Sequence, residues 1–120
     1  MAHGHIAHME IPSDDLERAK SFYGGVFGWA IGPVEGFPDY EMVDTGQEAI
    51  GGALGLRDKT APGSMRIYIS VDSIDVALGK VADLGGAVIV EKTEVPGMGH
   101  YAAVKDTEGN EIGLWQDPPA

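Results

Sequence analysis

The polar and apolar positions of the chain alternate in two segments, one in each half of the sequence. One segment covers residues 6–12 and the other covers residues 65–71. A period of two with one apolar side is typical of a strand that buries one of its faces. We therefore predict two half-buried strands. Their apolar side chains are those of Ala7, Met9 and Ile11 in the first strand and of Ile67, Ile69 and Val71 in the second.

A helical period follows each predicted strand, because apolar residues then recur at spacings of three and four. Asp14, with Glu17 three residues on, predicts the start of the first helix, and the dipeptide 72–73 (Asp-Ser) predicts that of the second. Glycine pairs at 24–25 and 85–86 are expected to end these helices. The apolar stripes consist of Leu16, Ala19, Phe22, Tyr23 and Val26 in the first helix and of Ile74, Ala77, Leu78, Val81 and Leu84 in the second.

Three shorter extended segments follow each helix and complete a βαβββ order in both halves of the chain. Turn-forming residues separate them, and residues 57–63 (RDKTAPG) have the composition of a linker. We predict a single α+β domain over residues 1–120, with the first module at about 5–58 and the second at about 64–117. The predicted extended segments are 29–33, 40–45 and 50–56 in the first module and 87–92, 101–105 and 111–116 in the second.

A shift of 58 positions superposes the two halves of the sequence without a gap. An internal repeat of this kind identifies two copies of one structural unit. Because there are only two copies, we expect a domain with approximate twofold symmetry, in which paired positions line a central site. The identical pairs include Ile11 and Ile69, Ala19 and Ala77, Gly28 and Gly86, Pro38 and Pro96, and Gly55 and Gly113.

The charge of the chain limits its partners. It has 8 Lys and Arg against 19 Asp and Glu, which gives a net charge of −11. This charge repels phosphate backbones and anionic membrane surfaces, so we expect neither nucleic acid nor membrane as a partner. The absence of cysteine excludes disulfides and thiolate chemistry. No apolar run approaches the ~20 residues of a membrane span, and we expect a cytoplasmic protein.

Three segments of the sequence are similar to the vicinal oxygen chelate superfamily, which includes glyoxalase I, bleomycin-resistance proteins and extradiol dioxygenases. They are residues 11–29 (IPSDDLERAKSFYGGVFGW), 70–89 (SVDSIDVALGKVADLGGAVI) and 93–116 (TEVPGMGHYAAVKDTEGNEIGLWQ). The chain most resembles the small single-domain branch related to lactoylglutathione lyase. This resemblance implies that the two modules form a half-open barrel. It does not imply one activity, because the superfamily carries many chemistries on one scaffold.

The resemblance also implies where a metal ion would bind. Metalloenzymes of the superfamily hold a divalent cation with four side chains, taken from the first and last strand of each module. When the shift of the repeat is used to pair the modules, those positions are His8, Gly55, Arg66 and Gly113. Glycine has no side chain and arginine has no lone pair, whereas a metal site needs at least three ligands. We therefore expect no metal cofactor. The alternative is a metal held by relocated ligands, for which the candidates are Glu41, Glu48, His100 and Glu111.

His8, Glu10 and Arg66 are the polar candidates for a functional site. His8 is interpreted as a general base, as a hydrogen-bonding group for a ligand or as a satisfied interior histidine. Glu10 shares its strand face and is the second candidate base. A buried Arg66 needs a counter-charge. Either Glu10 or an anionic ligand supplies that charge, or the Arg66 side chain reaches solvent.

Tyr68, Trp115 and His100 complete the predicted ligand-binding set. Tyr68 and Trp115 alternate with Arg66 and Gly113 along their strands, so we expect them on the side of the sheet that faces the pocket. Their rings either stack on a flat ligand or fill the cavity. His100 ends a glycine-rich segment at 95–100, which resembles a segment that borders the pocket in related proteins. This segment is either a mobile lid or a plain turn.

Two functions are compatible with these residues. The first is metal-free binding of a small aromatic or anionic molecule in the barrel cavity. The second is an enzyme, either a lyase or isomerase with His8 or Glu10 as base, or a metal-dependent glyoxalase-like or dioxygenase-like enzyme with non-standard ligands. The sequence favours the first function and leaves open whether the protein is an enzyme. Superfamily members often dimerise, and exposed sheet edges offer a route to pairing, so we also expect a homodimer.

Overall fold

The computed structural model describes residues 3–119 and contains the βαβββ order twice. This confirms the predicted α+β fold with two repeated modules. The elements of the first repeat are β1 (Ile6–Ser13), α1 (Leu16–Phe27), β2 (Ala30–Val34), β3 (Phe37–Asp44) and β4 (Gly52–Leu56). Those of the second are β5 (Arg66–Ser70), α2 (Ile74–Asp83), β6 (Ala87–Val95), β7 (Gly99–Lys105) and β8 (Glu111–Gln116).

The chain divides into two compact units, which we call the first and second module. The first module covers His8–Arg66, and the second runs from Ile67 towards the C-terminus and includes the segment before His8. That segment joins the second module because its backbone is hydrogen-bonded to Ser70. The Gly4 N–H donates to the Ser70 carbonyl at 2.7 Å, and the Ser70 N–H donates to the His5 carbonyl at 2.8 Å.

The first module is a four-stranded sheet with α1 packed on one face. Its strand order is β2-β3-β4-β1, in which only the β4–β1 pair is parallel. Ile11, Val43 and Leu54 are buried on the helix side of this sheet. The apolar stripe of α1 covers them, and burial of that surface is the main stabilising term for the module. The side chains that pack around this cluster are Met9, Leu16, Ala19, Tyr23, Trp29 and Ile31.

The second module repeats this arrangement with the strand order β5-β8-β7-β6, in which the β5–β8 pair is parallel. Its core lies between the sheet and α2, and Ile74 at the start of α2 is fully buried. The other buried members of this core are Val71, Ala102, Val104 and Leu114. Both modules therefore bury one sheet face under a helix and leave the opposite face for other contacts.

The helix starts differ in part from the prediction. Asp15, not Asp14, caps α1, because its Oδ1 accepts the Arg18 N–H at 3.0 Å. Asp14 instead accepts a hydrogen bond from Arg57 Nε at 3.1 Å. In α2 the cap is Ser73, one of the two candidates in the predicted dipeptide.

The first helix also runs further than predicted. It continues through Gly24 and Gly25 to Phe27, and Gly28, with a φ of 73°, ends it. Glycine inside a helix costs only about 1 kcal/mol relative to alanine. The extra turn places the Phe27 ring 5.2 Å from that of Trp29. The second helix ends as predicted, before Gly85 in a left-handed conformation (φ 95°).

No helix in the described part of the chain is both long enough and apolar enough to cross a membrane.

Candidate functional site

The face of the first module that α1 does not cover carries the predicted polar residues His8 and Glu10 together with Tyr40. His8 and Glu10 lie two residues apart on β1, and Tyr40 projects from β3. Glu10 is paired with Ala53 of β4, and Tyr40 is paired with Gly55 of the same strand. Because paired residues and alternate residues of a strand share a face, all of these positions lie on one side of the sheet. The predicted pair His8 and Glu10 is thus brought together with a tyrosine.

The three polar side chains are joined by hydrogen bonds through Tyr40. The Tyr40 hydroxyl donates to Glu10 Oε2 at 2.8 Å. The same oxygen lies 3.2 Å from His8 Nε2. Sequence reasoning did not select Tyr40, because its position relative to His8 depends on pairing across β4. The sequence did contain one indication of this contact. Tyr40 precedes a segment whose alternate residues, Ala53 and Gly55, are small enough to let a large side chain cross it.

Small residues in β4 allow Tyr40 to reach β1. This strand lies between β3 and β1, so the Tyr40 ring must pass over it. On the shared face β4 offers only Ala53 and Gly55, both of which are buried. A larger side chain at Ala53 would stand in the path of the ring, whereas one at Gly55 would meet Thr60 and Ala61.

Burial changes the acid–base behaviour of His8. Loss of hydration lowers the pKa of His8 below its ordinary value, and the negative charge of Glu10 opposes part of this shift. Desolvation is the larger effect because the imidazolium loses its hydration energy when it is buried. At neutral pH His8 is therefore uncharged, which is the form in which an imidazole can act as a base.

The two glycines at the predicted metal positions are each covered by other parts of their own module. A β carbon at Gly113 would lie 2.3 Å from Cδ2 of the Tyr68 ring. A β carbon at Gly55 would lie 2.8 Å from the Ala61 β carbon and 2.9 Å from the Thr60 carbonyl oxygen. These distances are far below van der Waals contact, so neither position has room for a liganding side chain.

The constant shift between the two halves of the sequence fails on the last strand of each module. Tyr68 of β5 is paired with Gly113 of β8. Its repeat equivalent in β1 is Glu10, which is paired with Ala53 and not with Gly55. Ala53 is therefore the structural equivalent of Gly113, two positions before the glycine that the repeat selects. This changes one of the four predicted positions, and alanine is no better a metal ligand than glycine.

The residues available at the metal positions of the superfamily do not fit a divalent cation. Among them only His8 can act as a ligand, and Arg66 carries a fixed positive charge that repels a cation. Within residues 3–119 there is no group of three or more His, Asp or Glu side chains placed to hold a metal. Glu41, a candidate for a relocated ligand, lies on the helix side of its sheet, where it pairs with Lys20 at 3.1 Å.

The second module presents aromatic side chains on the face opposite α2. Tyr68 is almost fully buried, and its ring lies over Gly113. Trp115 and Tyr101 form a cross-strand pair on the same face, and both are half-buried. The Trp115 indole N–H donates to Asp117 at 2.8 Å. Tyr68 thus fills space as a packing residue, whereas Trp115 and Tyr101 retain exposed ring surface.

Arg66 shares a face of β5 with Tyr68, because the two are alternate residues of the strand, whereas His100 lies on the α2 side of its sheet. Arg66 is half-buried at the start of β5. His100 is paired with Gln116 and shares the α2 side of the sheet with Ala102, so it faces away from Trp115. The structure therefore does not bring His100 together with the predicted aromatic residues.

The glycine-rich segment at 95–100 is shorter as a loop than its sequence suggests. Strand β6 extends to Val95 and β7 begins at Gly99, so only residues 96–98 connect them. The Met98 N–H donates to the Val95 carbonyl at 2.9 Å and closes a tight turn. Of the two interpretations, this geometry matches the plain turn.

A shallow, open groove of about 350 Å³ lies beside the N-terminus of α1, away from every predicted site residue. Its acidic groups already have partners, since Asp14 pairs with Arg57 and Asp15 caps the helix. It therefore adds no separate candidate site. The lining residues are Ser13, Asp14, Asp15, Arg18, Ala19, Phe22, Tyr23 and Arg57.

Comparison with known proteins connects this architecture with one family. The family described as "Bleomycin resistance protein-like N-terminal" matches residues 5–46. A protein of Mycobacterium bovis named "Putative glyoxylase CFP32" is 31% identical over 115 residues, which are 90% of this chain and 44% of that protein. The chain thus spans less than half the length of this mycobacterial relative. A "Glyoxylase-like domain-containing protein" of Didymella fabae is 29% identical, with 97% of this chain and 96% of that protein covered.

Solved structures agree with the fold. Methylmalonyl-CoA epimerase from Mycobacterium tuberculosis superposes with a TM-score of 0.68 at 15% identity, over 99% of this chain and 93% of that one. A glyoxalase/bleomycin resistance protein/dioxygenase superfamily member from Vibrio splendidus 12B01 superposes with a TM-score of 0.67 at 14% identity, over 96% of this chain and 99% of that one.

The family model, the sequence relatives and the superposed structures all show this chain to be similar to members of the glyoxalase/bleomycin resistance protein/dioxygenase superfamily. Within it, the relatives that are similar in sequence carry glyoxylase names, and the resemblance inferred from the sequence is confirmed at the level of the superfamily.

Proposed function

We propose that the protein binds a small organic molecule without a metal ion. The observation that carries this proposal is the packing at Gly113. The Tyr68 ring occupies the space above Gly113, and Ala53, its structural equivalent in the first module, has no ligand atom in its side chain. A metal site built on the last strand of each module would therefore lack both of its ligands there.

The polar part of the proposed site consists of His8, Glu10 and Arg66, with Tyr40 as an addition to the predicted set. A guanidinium group binds carboxylates and phosphates through two parallel hydrogen bonds, so Arg66 favours an anionic ligand. In the second module, the half-buried rings of Trp115 and Tyr101 support an aromatic ligand, because offset stacking on such rings is favourable. The proposed ligand class is therefore a small aromatic or carboxylated molecule.

A metal-independent lyase or isomerase is the second candidate. It is favoured by the hydrogen bonds that join His8, Tyr40 and Glu10 and by the lowered pKa of His8, since a buried neutral imidazole is suited to proton transfer. In this version the ligand is a substrate, and His8 or Glu10 accepts its proton.

Elemental analysis of protein purified without a histidine tag tests the absence of metal. We expect less than stoichiometric Zn, Ni, Fe and Mn, and no change in thermal stability on addition of a chelator. A stoichiometric divalent metal that is lost in His8→Ala would contradict the proposal.

Native mass spectrometry would then identify a bound molecule and separate the two candidates. A ligand recovered unchanged from the protein supports binding. Turnover of that ligand that survives a chelator and disappears in Glu10→Gln would identify the enzyme instead.

We also propose that the protein forms a homodimer. Support comes from helix α1, where Phe22, Val26 and Phe27 are each more than half exposed, because aromatic and large apolar residues are enriched in stable interfaces. Two copies of charge −11 repel each other, so added salt should strengthen the pairing. Sedimentation equilibrium at low and high salt measures this effect. Val26→Lys is expected to weaken the dimer. Val76→Lys on α2 is the matched control and should not weaken it. A protein that is monomeric at every salt concentration would refute the proposed homodimer.

A further inference from the structure

We propose that Tyr40 is a positioning residue that holds neutral His8 as the tautomer protonated on Nε2. In that tautomer the basic nitrogen of His8 is Nδ1. The inference concerns the proposed binding site and rests on that function only for its use, not for its geometry.

Glu10 lies at one end of a chain of hydrogen bonds through Tyr40. An ionised carboxylate accepts hydrogen bonds and has none to donate. The 2.8 Å contact between Tyr40 Oη and Glu10 Oε2 therefore uses the single hydroxyl proton of Tyr40. With that proton directed to Glu10, the tyrosine oxygen has only lone pairs left for other neighbours.

His8 is the next member of this chain of hydrogen bonds. Its Nε2 lies 3.2 Å from the Tyr40 oxygen. Two acceptor atoms at this distance would repel each other, so Nε2 must carry the hydrogen that bridges them. A neutral imidazole has one N–H, and placing it on Nε2 leaves the lone pair on Nδ1. The Glu10 carboxylate thus determines which atom donates in both hydrogen bonds. Tyr40 connects the two, because its hydroxyl donates to Glu10 and accepts from His8.

This direction determines what His8 can recognise. Through Nδ1 the neutral ring accepts a hydrogen bond or a proton and cannot donate one. A group that engages His8 at this atom must therefore carry an N–H, an O–H or an acidic C–H. The hydrogen bond from His8 to Tyr40 therefore determines which ligand groups the proposed site can bind. It also identifies Nδ1 of His8 as the atom that would act as base.

Nitrogen-15 NMR of protein labelled at histidine tests the tautomer without any ligand. The two ring nitrogens of a neutral imidazole have well-separated shifts when one tautomer dominates, and the shifts converge when two tautomers exchange. The His8 signals are assigned by their loss in His8→Gln. At a pH where His8 is neutral, we expect Nδ1 to have the shift of an unprotonated nitrogen and Nε2 that of an N–H.

Two variants test the connection. In Tyr40→Phe, and in Glu10→Gln, where the neutral amide no longer dictates the direction, the two shifts are expected to move towards each other. Tyr101→Phe is the matched control, since Tyr101 occupies the corresponding position in the second module, and it should leave the His8 shifts unchanged. A wild-type His8 protonated on Nδ1, or unchanged shifts in Tyr40→Phe, would overturn the inference. Because no ligand is present, this result is independent of whether the proposed binding function is correct.

Discussion

The ring of Tyr68 lies directly over Gly113, so closely that a β carbon on residue 113 would sit 2.3 Å from the ring. The two residues are paired across the parallel strands β5 and β8. Glycine at this position is therefore the partner of a large side chain and not an empty place in a cavity. The position at which the superfamily resemblance implies a metal ligand is thus part of the packing of the second module.

Substitution of Gly113 should test this packing. We expect Gly113→Ala to lower the free energy of unfolding by about 1–3 kcal/mol, because the added methyl group forces the Tyr68 ring or the backbone to shift. Gly79→Ala is the matched control. Residue 79 lies in α2 with open space around its β carbon, so alanine should stabilise the protein by up to about 1 kcal/mol.

Urea unfolding of both variants provides the measurement. In the Tyr68→Ala background, Gly113→Ala should cost much less, since the ring that it meets has been removed. An equal cost in both backgrounds would show that the backbone of β8, and not the ring, resists the substitution.

The pH dependence of stability should report on His8. Burial lowers its folded-state pKa below the ordinary value of the unfolded chain. Above the unfolded pKa both states are neutral and His8 adds no slope. As the pH falls below that value, the unfolded chain takes up a proton before the folded protein does, so the free energy of unfolding decreases. The decrease continues until the pH passes the folded pKa, with a slope of at most about 1.4 kcal/mol per pH unit.

Unfolding curves from pH 8 down to pH 5 would measure this slope. His8→Gln should flatten it, because the residue whose protonation differs between the folded and unfolded states is then absent. A slope that is the same in wild type and His8→Gln would show that burial does not control the protonation of His8.

The ion pair between Lys20 and Glu41 should respond unequally to loss of its partners. The Glu41 side chain is only 13% exposed and the Lys20 side chain 33% exposed. Removal of Lys20 leaves a largely buried carboxylate without its ammonium partner, which costs more than removal of the carboxylate itself. We expect Lys20→Met to destabilise the protein by about 1–2 kcal/mol and Glu41→Gln by less. The opposite order in urea unfolding would mean that Glu41 is better hydrated than its burial indicates.

Arg66 should determine selectivity between anionic and neutral ligands. If the guanidinium recognises a carboxylate, Arg66→Ala should weaken an acidic ligand by about tenfold or more and its amide analogue by much less. Calorimetric titration of both compounds with each variant gives the comparison. Equal losses for the two compounds would reject anion recognition by Arg66.

The repeated order of helices and strands followed from the hydrophobic pattern, because the period of two or of three to four reflects which side chains are buried. The start of α1 was displaced by one residue, since Asp14 and Asp15 are equally good caps and the choice depends on Arg57, far away in the chain. The prediction that His8 and Glu10 are neighbours required only that alternate residues of a strand lie on the same face. Tyr40 could not be found in this way, because its contact with them requires the register of three strands.

The structural equivalence of Ala53 and Gly113 has a consequence for protein engineering. A designer who copies a ligand set from one half of such a protein to the other by adding a constant number would choose Gly55. That choice places the new side chain two residues too far along the strand, an error of about 7 Å. Coordination distances tolerate a few tenths of an ångström. Grafting chemistry onto duplicated scaffolds therefore has to follow hydrogen-bonded partners, here Glu10 with Ala53 and Tyr68 with Gly113, and not sequence numbers.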